Sequence, residues 1–139
     1  MRDQTPKITV LVLDDSMAEL KLLGEIIKEI DPAIHTEFFQ ESTALLSFID
    51  GIKESSVSEK YLIFTDWNLI GHHTQEENVR KIKEHPMGKS IPLVVMSNYL
   101  KPDQHSLCYS LGADWVMDKP ENFEYFLRLV KNVLRQFLD

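Results

Sequence analysis

The 139-residue sequence is short of several things, and each shortage excludes a class of protein. It has one cysteine, Cys108, so an internal disulfide is impossible and a reducing compartment is expected. No pattern around Cys108 marks a nucleophile, and it reads as a small apolar residue on a helix face. Basic residues are outnumbered by acidic ones, and the formal charge is −7. A nucleic-acid-binding surface, which needs a basic patch, is therefore not expected. No apolar run approaches the roughly 18 to 20 residues that a membrane span requires. The polar start "MRDQTPK" lacks the apolar segment of a signal peptide. Together these features predict a cytoplasmic protein. A phosphate-binding G-x-x-x-x-G-K-[ST] loop, an internal repeat, a low-complexity tract and a linker are all missing.

What is present is an alternation, repeated five times. "ITVLVL" (8–13) is short, apolar and β-branched, as expected of a strand buried on both faces. A helix follows, opened by Ser16 and Glu19 at capping-box spacing. Leu20, Leu23, Ile27 and Ile30 form one face of it, and Asp31-Pro32 ends it. "AIHTEFF" (33–39) predicts a less apolar strand near a sheet edge, and "ESTALLSFIDGI" (41–52) a short helix closing near Gly51. "KESSVSEK" (53–60) is a polar connection. "YLIFTD" (61–66) predicts a third strand, "TQEENVRKIKEH" (74–85) a polar helix ended by Pro86, and "IPLVVMS" (91–97) a fourth strand. "PDQHSLCYSLG" (102–112) has Pro at the start of a helix and Gly just past its end. "DWVM" (114–117) is a short fifth strand. The last helix, 121–138, carries Phe123, Phe126, Leu127, Val130, Leu134 and Phe137 as its inner stripe. Strands with helices between them imply a parallel sheet with helices on both faces.

In such sheets the loops at the carboxyl ends of the strands form the binding crevice. Those ends carry Asp14 and Asp15, then Asp66 with Trp67 and Asn68, then Ser97 and Asn98, then Asp118, Lys119 and Pro120. Taken singly, an Asp there reads as a cap or turn residue, Lys119 as a salt bridge and Ser97 as a turn residue. Two adjacent aspartates, with Ser16 already available as the cap, are harder to explain by structure alone. Clustered carboxylates suit Mg²⁺, which takes one or two of them together with waters and a phosphate oxygen. A carboxylate on a rigid strand, such as Asp66, can attack a phosphoryl group to give an acyl phosphate. Lys119 would add positive charge, and Ser97 could donate its hydroxyl to a phosphoryl oxygen.

The ordered set "LVLDDS", "IFTDWNL", "LVVMSN" and "GADWVMDKP" resembles the receiver domain of bacterial two-component response regulators, of the stand-alone chemotaxis-regulator type. The resemblance runs from about Lys7 to the end of the chain. It implies a flavodoxin-like (βα)5 fold with strand order 2-1-3-4-5, and a single receiver domain over 1–139 with no output domain. It implies that Asp66 accepts a phosphoryl group from a sensor histidine kinase or a histidine phosphotransfer protein. By the same likeness Asp15 binds Mg²⁺ directly, Asp14 acts mainly through water, and Asn68 offers its backbone carbonyl to the ion. Ser97 is the switch hydroxyl and Lys119 the phosphate-contacting lysine, with the N–H groups of Trp67 and Asn98 completing a phosphate cradle. The output would be binding of a downstream protein target, with homodimerisation through the last two strands and helices as one form of it.

The sequence also departs from the family pattern. The usual switch aromatic falls on Val116, and the aromatic stands one residue earlier, at Trp115, on the opposite strand face. Trp115 reads either as a partly exposed packing residue or, with Tyr99 and Tyr125, as a partner anchor. Asn98 replaces a smaller residue and would narrow access to Asp66. Ile70 replaces a proline, Gly71 comes early, and His72 and His73 read as solvated loop residues. Two other functions compete. One is a receiver-like scaffold that is never phosphorylated. The other is an aspartate-nucleophile phosphohydrolase, which would need an acid/base carboxylate where Asn68 stands.

Overall fold

A computed structural model describes residues 6–52, 59–69 and 74–139. The elements run β1 (Lys7–Leu13), α1 (Met17–Ile30), β2 (His35–Phe39), α2 (Ser42–Asp50), β3 (Glu59–Asp66), α3 (Gln75–Glu84), a 3₁₀ turn (Gly88–Ser90), β4 (Leu93–Ser97), α4 (Pro102–Ser110), β5 (Trp115–Asp118) and α5 (Phe123–Leu138). The five strands form one parallel sheet in the order β2-β1-β3-β4-β5, the expected flavodoxin-like topology. β2 lies at an edge, which accounts for its more polar sequence. The 3₁₀ turn has no counterpart among the elements expected from the sequence.

The apolar strand runs are explained by burial on both faces. Val10, Val12, Leu62, Phe64, Val94, Met96 and Met117 point to one side and pack with α1 and α5. Leu11, Leu13, Ile63, Val95 and Val116 point to the other, where Leu45, Ile49, Val79, Ile82 and Cys108 of α2, α3 and α4 cover them. Alternate residues of one strand thus feed two separate cores. In α1, Leu20, Leu23 and Ile27 are buried as expected, with Ile26 beside them. The stripe of α5 needs correction. Phe123, in the first turn, is largely exposed, while Val133 and Leu138 join Phe126, Val130 and Leu134 in the core.

Helix ends follow local chemistry. The side chains of Ser16, Thr74 and Asn122 each accept an N–H from the first turn of α1, α3 and α5. The turn after α4 needs Gly112, whose φ of 111° lies in the left-handed region. The expected capping box at Ser16 forms only in part. Ser16 Oγ accepts the Glu19 N–H at 3.3 Å, but the Ser16 N–H donates to Asp14 Oδ1 at 3.0 Å. The Glu19 carboxylate turns away to Lys119.

Candidate functional site at the carboxyl ends of the strands

Parallel pairing sets the strand ends side by side: Leu13 pairs with Thr65, Asp66 with Met96, and Ser97 with Asp118. The residues that follow converge on one rim. Asp14, Asp15 and Asp66 each offer a carboxylate oxygen, all within 4.8 Å of one another. Lys119 Nζ lies 2.9 Å from Asp14 Oδ2, 3.5 Å from Glu19 Oε2 and 3.6 Å from Asp66 Oδ1. Asp14 and Lys119 are buried, and the Asp66 side chain is 12% exposed. One ammonium is thus divided among three carboxylates.

The electrostatics follow from burial. Burial pushes the Asp66 carboxyl up; the Lys119 charge and the Asn68 N–H pull it down, Asp14 and Asp15 push it up, and the net direction is upward. Burial alone would lower the Lys119 ammonium, but its hydrogen bond to Asp14 and the charges of Asp66, Asp14 and Glu19 outweigh that, so it is raised and stays protonated. Two full negative charges about 5 Å apart repel by on the order of 3 kcal/mol at an effective dielectric of about 20. Three hard oxygen donors around one point, incompletely neutralised by Lys119, form a donor set that fits a small divalent cation.

Asn68 enters the site through its side chain as well. Its Nδ2 donates to Ser97 Oγ at 2.8 Å, and its Oδ1 accepts from Gln75 Nε2 at 2.7 Å. Ser97 is fully buried, and its hydroxyl lies 3.4 Å from the Tyr99 carbonyl. Its own carbonyl accepts the Lys119 N–H at 2.6 Å, which locks the end of β4 to the residue after β5. Asp118 accepts the Leu100 N–H at 3.2 Å, tying the same strand end to the loop before α4. Asn98 is exposed on that loop.

One expectation is corrected. The Trp67 N–H donates to the Met96 carbonyl at 2.8 Å, because the β3–β4 ladder continues one residue beyond the strand. It is committed to the sheet rather than to an anion. The Trp67 ring is buried in the core, and among the described residues its Nε1 meets no hydrogen-bond partner. Ile70, Gly71, His72 and His73 lie outside the described residues, as do residues 53–58 of the polar connection.

The residues expected to meet a partner are all exposed. Tyr99 is 71% exposed, Tyr125 53% and Trp115 39%, while Val116 is buried. Trp115 and Val116 thus face opposite ways, as strand alternation requires. Tyr109, which the sequence does not single out, is also exposed, and its hydroxyl accepts the Val116 N–H at 3.1 Å. Glu19 and Gln75 are further residues of the site that sequence reasoning misses. Glu19 offers only a helix-capping signal, and Gln75 offers none.

No protein-family model matches the chain. Among curated proteins it is 30% identical over 118 residues to the two-component response regulator ARR17 of Arabidopsis thaliana, covering 82% of this chain and 76% of that one. It is 27% identical over 128 residues to stress response regulator protein 1 of Meyerozyma guilliermondii, where it covers 91% of this chain but spans only 56% of the relative. Among solved structures, the Mn²⁺-bound response regulator Rcp1 has a TM-score of 0.73 at 25% identity, covering 96% of each chain. A phosphorylated cyanobacterial phytochrome response regulator, RcpA, has a TM-score of 0.79 at 22% identity, covering 96% of this chain and 95% of that one.

Proposed function

Because the chain belongs to the two-component response regulators, we propose that it is a phosphoacceptor switch in which Asp66 takes a phosphoryl group from a sensor histidine kinase or a histidine phosphotransfer protein. The observation that carries this is the rim itself: three carboxylates within 4.8 Å of one another and a buried lysine 3.6 Å from Asp66. The reading takes 1–139 as one receiver domain and places it in the cytoplasm. Among the described residues, no helix is long and apolar enough to cross a membrane.

Asp15, Asp14, Asp66 and the backbone carbonyl of Asn68 would hold Mg²⁺. Bound there, the ion supplies charge neutralisation that lets an anionic donor approach a carboxylate. The chain's own residues do the rest. An Asp66 oxygen attacks phosphorus, the bond from phosphorus to the donor's histidine nitrogen breaks, and that nitrogen keeps the electron pair and takes up a proton. The Lys119 ammonium, held by Asp14 and Glu19, meets the incoming negative charge. Ser97 donates its hydroxyl to a phosphoryl oxygen, and the Asn98 N–H completes the cradle. Transfer of the Ser97 hydroxyl away from the Tyr99 carbonyl loosens the loop that presents Tyr99, and so alters the surface of Tyr99, Trp115 and Tyr125 that a downstream protein reads. The chemistry is confined to a side chain of the protein itself, which makes this a signalling protein and not an enzyme that turns over a separate substrate.

Incubation with Mg²⁺ and acetyl phosphate, or with a phosphorylated histidine donor, should add the mass of one phosphoryl group, lost on treatment with hydroxylamine and absent in Asp66→Asn. A folded protein that takes no phosphoryl group from either donor would overturn the reading.

A further inference from the structure

Gln75 is the first residue of α3, and Thr74 caps it. From Gln75 a chain of hydrogen bonds runs into the site: Gln75 Nε2 to Asn68 Oδ1 at 2.7 Å, Asn68 Nδ2 to Ser97 Oγ at 2.8 Å, and Ser97 Oγ to the Tyr99 carbonyl at 3.4 Å. The chain has a direction. With the Gln75 NH₂ towards it, Asn68 turns its oxygen to Gln75 and its NH₂ to Ser97; a carboxylate at position 75, which can only accept, would require the reverse. The Ser97 oxygen then accepts from Asn68 and keeps its own proton for another acceptor. That acceptor is here the Tyr99 carbonyl, at a separation beyond the usual O–H···O range, so the bond is weak and easily exchanged. Were the Asn68 amide turned over, its oxygen would capture the Ser97 proton, and Ser97 would present lone pairs to an arriving anion.

We propose that Gln75 is a positioning residue for phosphoryl transfer to Asp66: by fixing the Asn68 amide, it keeps the Ser97 hydroxyl a donor towards a phosphoryl oxygen. The inference rests on Asp66 being the phosphoacceptor. Gln75 touches none of the reacting atoms and acts through two side chains.

Gln75→Glu tests this because the change is nearly isosteric but removes the donor. The carboxylate it introduces attracts the Asn68 NH₂ and so turns the Asn68 oxygen to Ser97. A purely structural role predicts the opposite outcome, since an acidic residue in the first turn of a helix is favourable. Gln75→Met removes the polar group and leaves the amide undirected. The initial rate of phosphorylation by acetyl phosphate in Mg²⁺ is measured for each, with and without Ser97→Ala, alongside thermal unfolding. In the Ser97 protein, Gln75→Glu should slow phosphorylation about five- to tenfold and Gln75→Met about two- to threefold, within the coupling range of one hydrogen-bond network. The melting temperature of Gln75→Glu should be unchanged or higher. In the Ser97→Ala background either change should shift the rate by less than about 1.5-fold, because the residue through which Gln75 acts is gone. Wild-type rates in Gln75→Glu would overturn the inference. So would equal slowing in both backgrounds, which would assign the effect to added charge repelling the donor. If the wild-type protein takes no phosphoryl group at all, the reading of Asp66 fails first; if it does and Gln75→Glu matches it, only this inference fails.

Discussion

The two ends of the sheet handle charge differently. At the amino ends, several polar groups meet partners one to one or through the backbone. Lys83 Nζ donates to the Ile91 carbonyl at 2.8 Å and pairs with Asp114 at 3.2 Å, and Asp114 also accepts the Leu93 N–H at 2.8 Å. Tyr61 donates to Glu59 at 2.7 Å, and Lys60 to the Leu138 carbonyl at 3.2 Å. At the carboxyl ends, Lys119 is shared by Asp14, Glu19 and Asp66, with Asp15 beside them. The first arrangement ties loops together. The second holds like charges close without cancelling them, at a cost in stability that a clasp would not require. The difference separates ionic contacts that tie loops together from a cluster whose negative charge outweighs its one lysine.

The largest effect that would sharpen this contrast is expected from Lys119→Met. Removing the ammonium leaves buried carboxylates uncompensated, a loss of about 3–5 kcal/mol in urea unfolding without divalent cation. Added Mg²⁺ should restore part of it. Next, Mg²⁺ at about a hundred times its dissociation constant should stabilise the wild-type protein by about 2.7 kcal/mol. Asp15→Asn should lose most of that gain, and equal stabilisation of the variant would break the contrast. Lys83→Met, at the other end, should cost about 1–3 kcal/mol through the orphaned Ile91 carbonyl. That loss should be indifferent to Mg²⁺, and phosphorylation of the folded protein should proceed at the wild-type rate.

The smallest effect is a titration. Burial, then the hydrogen bond to Glu59 and its charge, push the Tyr61 hydroxyl up to about 12. The folded value lies above the unfolded one of about 10, so the folded state holds the proton longer. Its contribution to stability is complete below about pH 10 and is lost as pH rises through about 12. In an ultraviolet titration of the four tyrosines, the last to ionise should vanish in Tyr61→Phe. Ionisation of all four together near pH 10 would contradict this account.

Much of this organisation is legible in the sequence. The strand–helix alternation is written in residue periodicity, and a rigid strand carries the residue at its end to a fixed place. That is why Asp14, Asp15, Asp66, Ser97 and Lys119 can be grouped from the sequence alone. The opposite facing of Trp115 and Val116 follows from the same pleat. What cannot be read depends on choices that side chains make among nearby partners. Glu19 sits at capping-box spacing, yet its carboxylate goes to Lys119, a hundred residues away, because a buried ammonium is the stronger partner. Trp67 follows a strand end, but how far the ladder runs beyond it depends on β4. Gln75 reaches Asn68 across a loop, and nothing in its neighbours announces it. At Phe123 the apolar spacing holds, but the side chain stays exposed in the first turn of α5.

The bond between Tyr109 and Val116 carries one more consequence. β5 is the outermost strand on its side, and the outward N–H groups of an edge strand are the usual seed of edge-to-edge aggregation. The Tyr109 hydroxyl stoppers that edge at Val116. A strand from a second copy that approached β5 would therefore find the Val116 N–H already committed to a side chain of its own chain.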